Sequence, residues 1–149
     1  MPGGKLRGFA HRIDITAGAD RVWRALTEPT SLGRWCASGA AVRPRAGGSY
    51  RLGLEREEFV DAYIDVFEPE RRLRLIHMER ADLPSADATI VDDILLEAAG
   101  AGTIVRLLGA GYPEERSWDG YYLRQRTSWE RALARLKVYL EKGLDRETT

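Results

Sequence analysis

The sequence predicts an α+β domain in which an antiparallel sheet of about seven strands is covered on one face by a long C-terminal helix, with two short helices after the first strand. Three observations carry this prediction. Trp118 to Lys142 holds the strongest helical period of the chain; strand-like segments separated by short turns fill the stretch from Cys36 to Tyr112; and a single alternating segment, followed by two short helical patterns, precedes them. With 149 residues and no break in composition, one domain spanning 1–149 is expected, long enough to bury a sizeable core.

The elements follow in order. Phe9, His11, Ile13 and Ile15 alternate with polar or small residues, the period of a strand with one buried face. From Ala19 to Thr27 the period becomes helical, Val22, Trp23 and Leu26 sharing one side with Asp20 near the start. Pro29 fits the first turn of a second helix that ends near Trp35. Breaks at Gly47-Gly48, Glu68 to Arg71 and Ala99 to Gly102 then separate candidate strands at about 38–44, 48–55, 58–67, 72–80, 89–98 and 103–111, and such short connections imply antiparallel neighbours. In the final segment Tyr122, Ala132, Leu133, Leu136 and Leu140 lie within about 60° of the direction of Trp129, opposite an arc of arginines. Ser117 and Asp119 offer N-caps, Lys142 and Gly143 a C-terminal stop, and the helix would be roughly 37 Å long.

Composition excludes several classes of function. Lys plus Arg and Asp plus Glu are 23 each, so no net field favours nucleic acid or an anionic membrane. No apolar run approaches the roughly 20 residues of a membrane span, and Met1 to Ala10 lacks the apolar core of a signal peptide, so a cytoplasmic protein is expected. Cys36 is the only cysteine, which rules out an intrachain disulfide and a cysteine-rich zinc site. Gly109-Ala110-Gly111 lacks the third glycine and following helix of a dinucleotide fingerprint, and no serine occupies a nucleophile elbow, so no cofactor is expected. The run Glu55 to Glu58 reads as a solvated hairpin end.

Arg21-Val22-Trp23-Arg24-Ala25-Leu26-Thr27-Glu28-Pro29 with Gly33-Arg34-Trp35, Gly47-Gly48-Ser49-Tyr50, Glu68 to Leu73, Gly102-Thr103 and Trp129 to Glu141 together resemble, in order and over most of the chain, proteins similar to the activator of the heat-shock-protein-90 ATPase, in the form of a stand-alone bacterial-type domain. That family belongs to the START-like, or SRPBCC, helix-grip superfamily. The resemblance implies a curved sheet wrapped around the C-terminal helix, with a cavity between them. It implies no single activity, because the superfamily includes lipid carriers, hormone receptors, polyketide aromatases and cyclases, and co-chaperone domains.

Candidate site residues follow from strand facing, since partners across a tight turn have constant index sums. The turn at Pro69 sets Ala62 beside His77 and Ile64 beside Leu75; a symmetric loop around Pro84 would set His77 opposite Asp92; the turn at Gly100 sets Asp92 opposite Gly109. In that row an imidazole and a carboxylate stand between small residues that leave room for a ligand. The two can satisfy each other, anchor a ligand, or form an acid/base pair, which makes His77 and Asp92 the catalytic candidates. In the resembled family an aromatic more often stands at the position of His77 and a histidine near that of Gly109, so the row departs from the usual pattern.

A small hydrophobic molecule is the expected partner, held in a cavity lined by Trp35, Tyr50, Ile64, His77, Asp92, Tyr112, Tyr122, Arg126 and Trp129. Arg126 lies at the edge of the apolar stripe, where it meets an anionic group of the ligand or extends to water. His11, between Phe9 and Ile13, reads as a satisfied core histidine, and His11, His77 and Asp92 lack the spacing that would predict a metal site. Two alternatives remain: an enzyme of the cyclase, aromatase or hydrolase kind using His77 and Asp92, and a chaperone-interacting module suggested by the family name. A homodimer is compatible with the sequence.

Overall fold

The computed structural model describes residues 4–85 and 87–143. The chain runs β1 (Leu6–Ile15), α1 (Ala19–Thr27), α2 (Pro29–Trp35), β2 (Ala40–Val42), β3 (Ser49–Gly53), β4 (Phe59–Glu68), β5 (Arg72–His77), β6 (Val91–Ala99), β7 (Gly102–Pro113) and α3 (Arg116–Lys142). The seven strands form one antiparallel sheet in the order β1-β7-β6-β5-β4-β3-β2. Consecutive strands from β2 to β7 are neighbours, as the short connections require. β1 pairs with β7, so the strand farthest in sequence from the end of the sheet closes against the strand that leads into α3. α1 and α2 carry the chain from the β1 edge to the β2 edge. This is the α+β helix-grip architecture.

α3 begins two residues before Trp118. Its N-cap is Glu115, in extended conformation and without a side-chain cap, while Ser117 and Asp119 lie inside the first turn, where Asp119 favours the helix dipole and pairs with Arg7 at 2.7 Å. At the other end Gly143 takes φ 68°, and its N–H donates to the Tyr139 carbonyl, the left-handed stop that glycine permits.

The buried side chains of α3 include Trp118, Tyr121, Gln125, Ser128, Trp129, Ala132, Leu133, Leu136 and Leu140. On a helical wheel they span an arc from about −100° at Ser128 to about +40° at Leu133, measured from Trp129. The stripe is therefore centred about 30° to the side of Trp129 that holds Gln125 and away from Arg126. Beneath it lie the inward residues of the sheet, among them Tyr50, Leu52, Ile64, Leu75, Ile94 and Val105, all 0% exposed.

Candidate functional site

Strand alternation puts His77 of β5 and Asp92 of β6 on the face of the sheet that α3 covers. Their side chains are 5% and 0% exposed, and His77 Nε2 lies 2.6 Å from Asp92 Oδ2. The Nε2–H donates to the carboxylate, which leaves the Nδ1 lone pair of a neutral ring as the group able to accept a proton or a hydrogen bond. The register that produces this contact differs from the symmetric-loop expectation. Asp92 stands opposite Leu75, and the His77 N–H donates to the Ile90 carbonyl, so His77 and Asp92 are diagonal neighbours. The connection over residues 78–90 is not symmetric about Pro84; it displaces the pairing by two residues, one full side-chain period, and the two groups keep the same face. Ala62 opposite His77 and Gly109 opposite Asp92 are found as expected.

The space beside Gly109 is occupied. A register shift between Arg7 and Phe9 turns the Phe9 ring onto Gly109, so that a Cβ there would lie 2.4 Å from Phe9 Cζ. Small residues thus leave room for Phe9 on that side, not for a ligand. Phe9 joins an aromatic cluster in which Tyr112 stands 5.4 Å from Tyr122 and 6.0 Å from Tyr121, ring centre to ring centre, with Trp118 5.7 Å beyond Tyr121. Tyr112 reaches the inner face because Gly111, at φ 92°, changes the phase of β7; a Cβ at Gly111 would meet the Thr89 carbonyl oxygen at 1.8 Å.

The expected lining residues divide by what their polar atoms do. Trp35 Nε1–H donates to the Ala25 carbonyl and Tyr50 O–H to the Leu26 carbonyl, both at 2.7 Å. These carbonyls belong to the last turn of α1, which has no further helical N–H to accept, so Trp35 and Tyr50 serve as C-terminal caps. Tyr122 O–H donates to the Gly8 carbonyl at 2.7 Å under the Arg7 guanidinium, sealing the β1 edge. Arg126 is exposed, outside the buried arc of α3, and His11 Nε2 donates to its carbonyl at 2.8 Å; its side chain is not part of an interior wall. His11 is half-buried, satisfied by that carbonyl and packed on Phe9. Ile64 is a buried inward residue of β4. No group of three or more His, Cys, Asp or Glu among the described residues could hold a metal ion.

Among the described residues six buried side-chain atoms have no protein partner: Asp92 Oδ1 on β6, Tyr112 OH on β7, Gln125 Oε1 and Trp129 Nε1 one turn apart on α3, and the Nε atoms of Arg7 on β1 and Arg135 farther along α3. Gln125 Nε2 donates to Glu58 Oε2 at 2.8 Å, and Arg124 Nε to Glu58 Oε1 at 3.0 Å. Glu55 pairs with Arg131 at 3.5 Å. Glu55 and Glu58 are therefore strapped onto α3, while Arg56 and Glu57 between them are exposed at the end of the β3–β4 hairpin, as the charge run suggested. The segment from Glu55 to Glu58 edges an open cleft of about 710 Å³ against Leu123, Thr127 and Ser128 of α3. Glu58 and Tyr121 are the residues that sequence reasoning missed: the periodicity placed Tyr121 outside a stripe drawn on Trp129, and the charge run hid the inward orientation of Glu58.

The profile of a family described as "Activator of Hsp90 ATPase homolog 1-like protein" matches residues 16–141. The chain belongs to this family. Its fold is shared with solved structures of low sequence identity. Protein MLL2253 from Mesorhizobium loti is 20% identical, the match covering 91% of this chain and 98% of that one with a TM-score of 0.76. The Aha1 dimer from Colwellia psychrerythraea is 21% identical over 92% and 98%, with a TM-score of 0.77. CalU16 from Micromonospora echinospora is 24% identical over 96% and 82%, with a TM-score of 0.71. No protein of curated function matches the sequence significantly. Among the described residues no helix is long and apolar enough to cross a membrane.

In this member of the Hsp90-activator-like family the buried tyrosines are held above the ordinary phenol range, chiefly by burial. Burial pushes the Tyr112 hydroxyl well above the ordinary phenol range, and the Asp92 carboxylate, followed by Tyr121 and Glu58, adds to the shift. Tyr50 and Tyr121 are raised chiefly by burial too, Tyr121 against an opposing effect of Arg80. A phenol whose folded pKa exceeds its unfolded value contributes stability that is complete below about pH 10 and declines as pH rises beyond it. In a 295 nm titration, therefore, Tyr50, Tyr112 and Tyr121 should stay protonated to about pH 11 and ionise only together with loss of the far-ultraviolet circular dichroism. Ionisation of all six tyrosines with the dichroism intact would contradict this account of the interior.

Proposed function

We propose that this chain binds a small, largely hydrophobic ligand between the central strands and the N-terminal half of α3. One observation carries the reading: four buried atoms without a protein partner belong to Asp92 and Tyr112 on inward positions of the sheet and to Gln125 and Trp129 on the buried side of α3. Buried polar groups of folded proteins are nearly always paired, and several without protein partners on the sheet and the helix that covers it are groups whose hydrogen bonding another molecule can complete. The flanking rings of Phe9, Tyr121 and Trp118 supply the apolar surroundings that ligand pockets have. His77 and Asp92 then act as an anchor whose imidazole holds the carboxylate in place.

Native mass spectrometry of gently purified protein should reveal a co-purified small molecule, and the neutral fluorophore N-phenyl-1-naphthylamine should be taken up saturably at one per chain. Absence of both would remove the proposal.

A second reading is favoured by the 2.6 Å contact itself, which is the geometry of a base oriented by a carboxylate: His77 moves a proton through Nδ1 while Asp92 fixes the ring. For any compound that turns over, a pH–rate profile left unchanged in His77→Gln would dismiss it. The family description alone supports a chaperone partner. The similar Colwellia protein was solved as a dimer, and a homodimer of this chain is a further proposal that light scattering during size-exclusion chromatography would test.

A further inference from the structure

We propose that the ligand is a neutral, hydroxyl-bearing apolar molecule, and that the site discriminates against both carboxylates and ammonium ions; this rests on the binding role proposed above. The four unpartnered atoms of that site differ in what they can do. Asp92 Oδ1 and Gln125 Oε1 can only accept a hydrogen bond, Trp129 Nε1–H can only donate one, and the Tyr112 hydroxyl can do either. A ligand that completes the set must therefore both give and receive hydrogen bonds.

A carboxylate only accepts. It would leave Asp92 Oδ1 unpaired and would face two anions, Asp92 at 0% and Glu58 at 13% side-chain exposure. The nearby cations are already engaged: Arg124 by Glu58, Arg7 by Asp119 and the Glu115 carbonyl, Arg80 by Asp82 and the Phe59 ring. Arg126 stands outside in solvent, and Arg7 keeps only its buried Nε–H without a partner, its terminal NH2 being held by Asp119 and the Glu115 carbonyl, so among these arginines none offers the two parallel N–H groups that a carboxylate takes. An ammonium ion only donates. It would suit Asp92 Oδ1 but leave Trp129 Nε1–H without an acceptor, and it would have to shed its hydration in a site whose walls are aromatic. A hydroxyl donates to Asp92 Oδ1 while its oxygen accepts from a neighbouring N–H or O–H, with no charge to desolvate. His77 holds Oδ2, so Oδ1 is the oxygen left for the ligand.

The test is a calorimetric titration of the intact protein at pH 7 with four probes of one shape: 2-naphthol, 2-naphthoate, 2-naphthylmethylammonium and naphthalene. 2-Naphthol should bind at least about tenfold more tightly than each of the others, the magnitude of one well-made buried hydrogen bond. Asp92→Asn, which keeps an acceptor oxygen but removes the charge, should weaken 2-naphthol and strengthen 2-naphthoate, narrowing the gap between them. If Asp92→Asn does not fold, Tyr112→Phe serves: it should retain the fold and bring 2-naphthol closer to naphthalene. Equal or tighter binding of 2-naphthoate or the ammonium probe overturns the selectivity while leaving a binding site in place, as does 2-naphthol no tighter than naphthalene. If none of the four binds, the binding role itself falls, and the inference with it.

Discussion

His77→Phe is expected to lower the free energy of unfolding by about 3–5 kcal/mol, the cost of removing one partner of a buried pair. Asp92 is 0% exposed, and its Oδ1 already lacks a protein partner. His77 Nε2, at 2.6 Å, is what Oδ2 has in place of water. Without the imidazole, both oxygens of a carboxylate deep between sheet and helix go unpaired, and that desolvation penalty, not lost packing, sets the size of the effect, because phenylalanine preserves most of the volume. The double variant His77→Phe/Asp92→Val should recover most of the loss, since replacing both members of a buried polar pair by apolar groups of similar size is close to neutral. Urea unfolding midpoints at unchanged m-value would supply the double-mutant cycle, with a coupling of about 2 kcal/mol or more expected. Additive single effects would mean that the two side chains do not act as a unit, and the anchor assigned to them would have no basis. The double variant has a further use: it should be well folded yet deficient in binding, which separates the site from the scaffold.

That His77 and Asp92 share a face was legible from alternation alone, and the reason is instructive. The loop over residues 78–90 set the register two residues away from the symmetric expectation, but side chains on a strand repeat every two residues, so the error moved the partner along the face without turning it over. Elements were legible where local chemistry decides them: Pro29 at a first turn, Gly143 past a last one, the alternation of β1. What was not legible depends on three-dimensional context. The room beside Gly109 is consumed by Phe9 because of a register shift in a strand that lies about a hundred residues away in sequence. Trp35 and Tyr50 belong to α1 because the last carbonyls of that helix need donors, which no periodicity records. Arg126 fell outside the wall because the buried stripe of α3 is centred about 30° from Trp129, toward Gln125 and away from Arg126. Glu58 was read as solvent-facing from its neighbours' charges, yet it is one of the residues that tie α3 to the sheet side, through Gln125.

Leu136→Ala should have an effect of similar size and opposite meaning. Leu136 is 0% exposed near the centre of the buried stripe, between Leu133 at 2% and Leu140 at 6%, in the half of α3 where the unpartnered polar atoms of the site are absent. Truncating it removes apolar contacts and leaves a cavity that a helix held at both ends cannot close, for an expected loss of about 2–5 kcal/mol. In a chain of this length each kcal/mol lowers the melting temperature by roughly 2–4 °C. Yet 2-naphthol affinity, measured where both proteins are folded, should stay within about threefold, because the atoms proposed to hold the ligand lie at Gln125, Trp129 and across the sheet from them. Tyr112→Phe makes the reverse case, since it deletes a buried hydroxyl without a protein partner: stability should hold or rise while binding falls. A loss of binding in Leu136→Ala matching that of Tyr112→Phe would mean that the two halves of α3 are not separable. The ligand would then have to be sought along the whole length of the helix, where Leu133, Leu136 and Leu140 would have to line its space as well as hold the sheet.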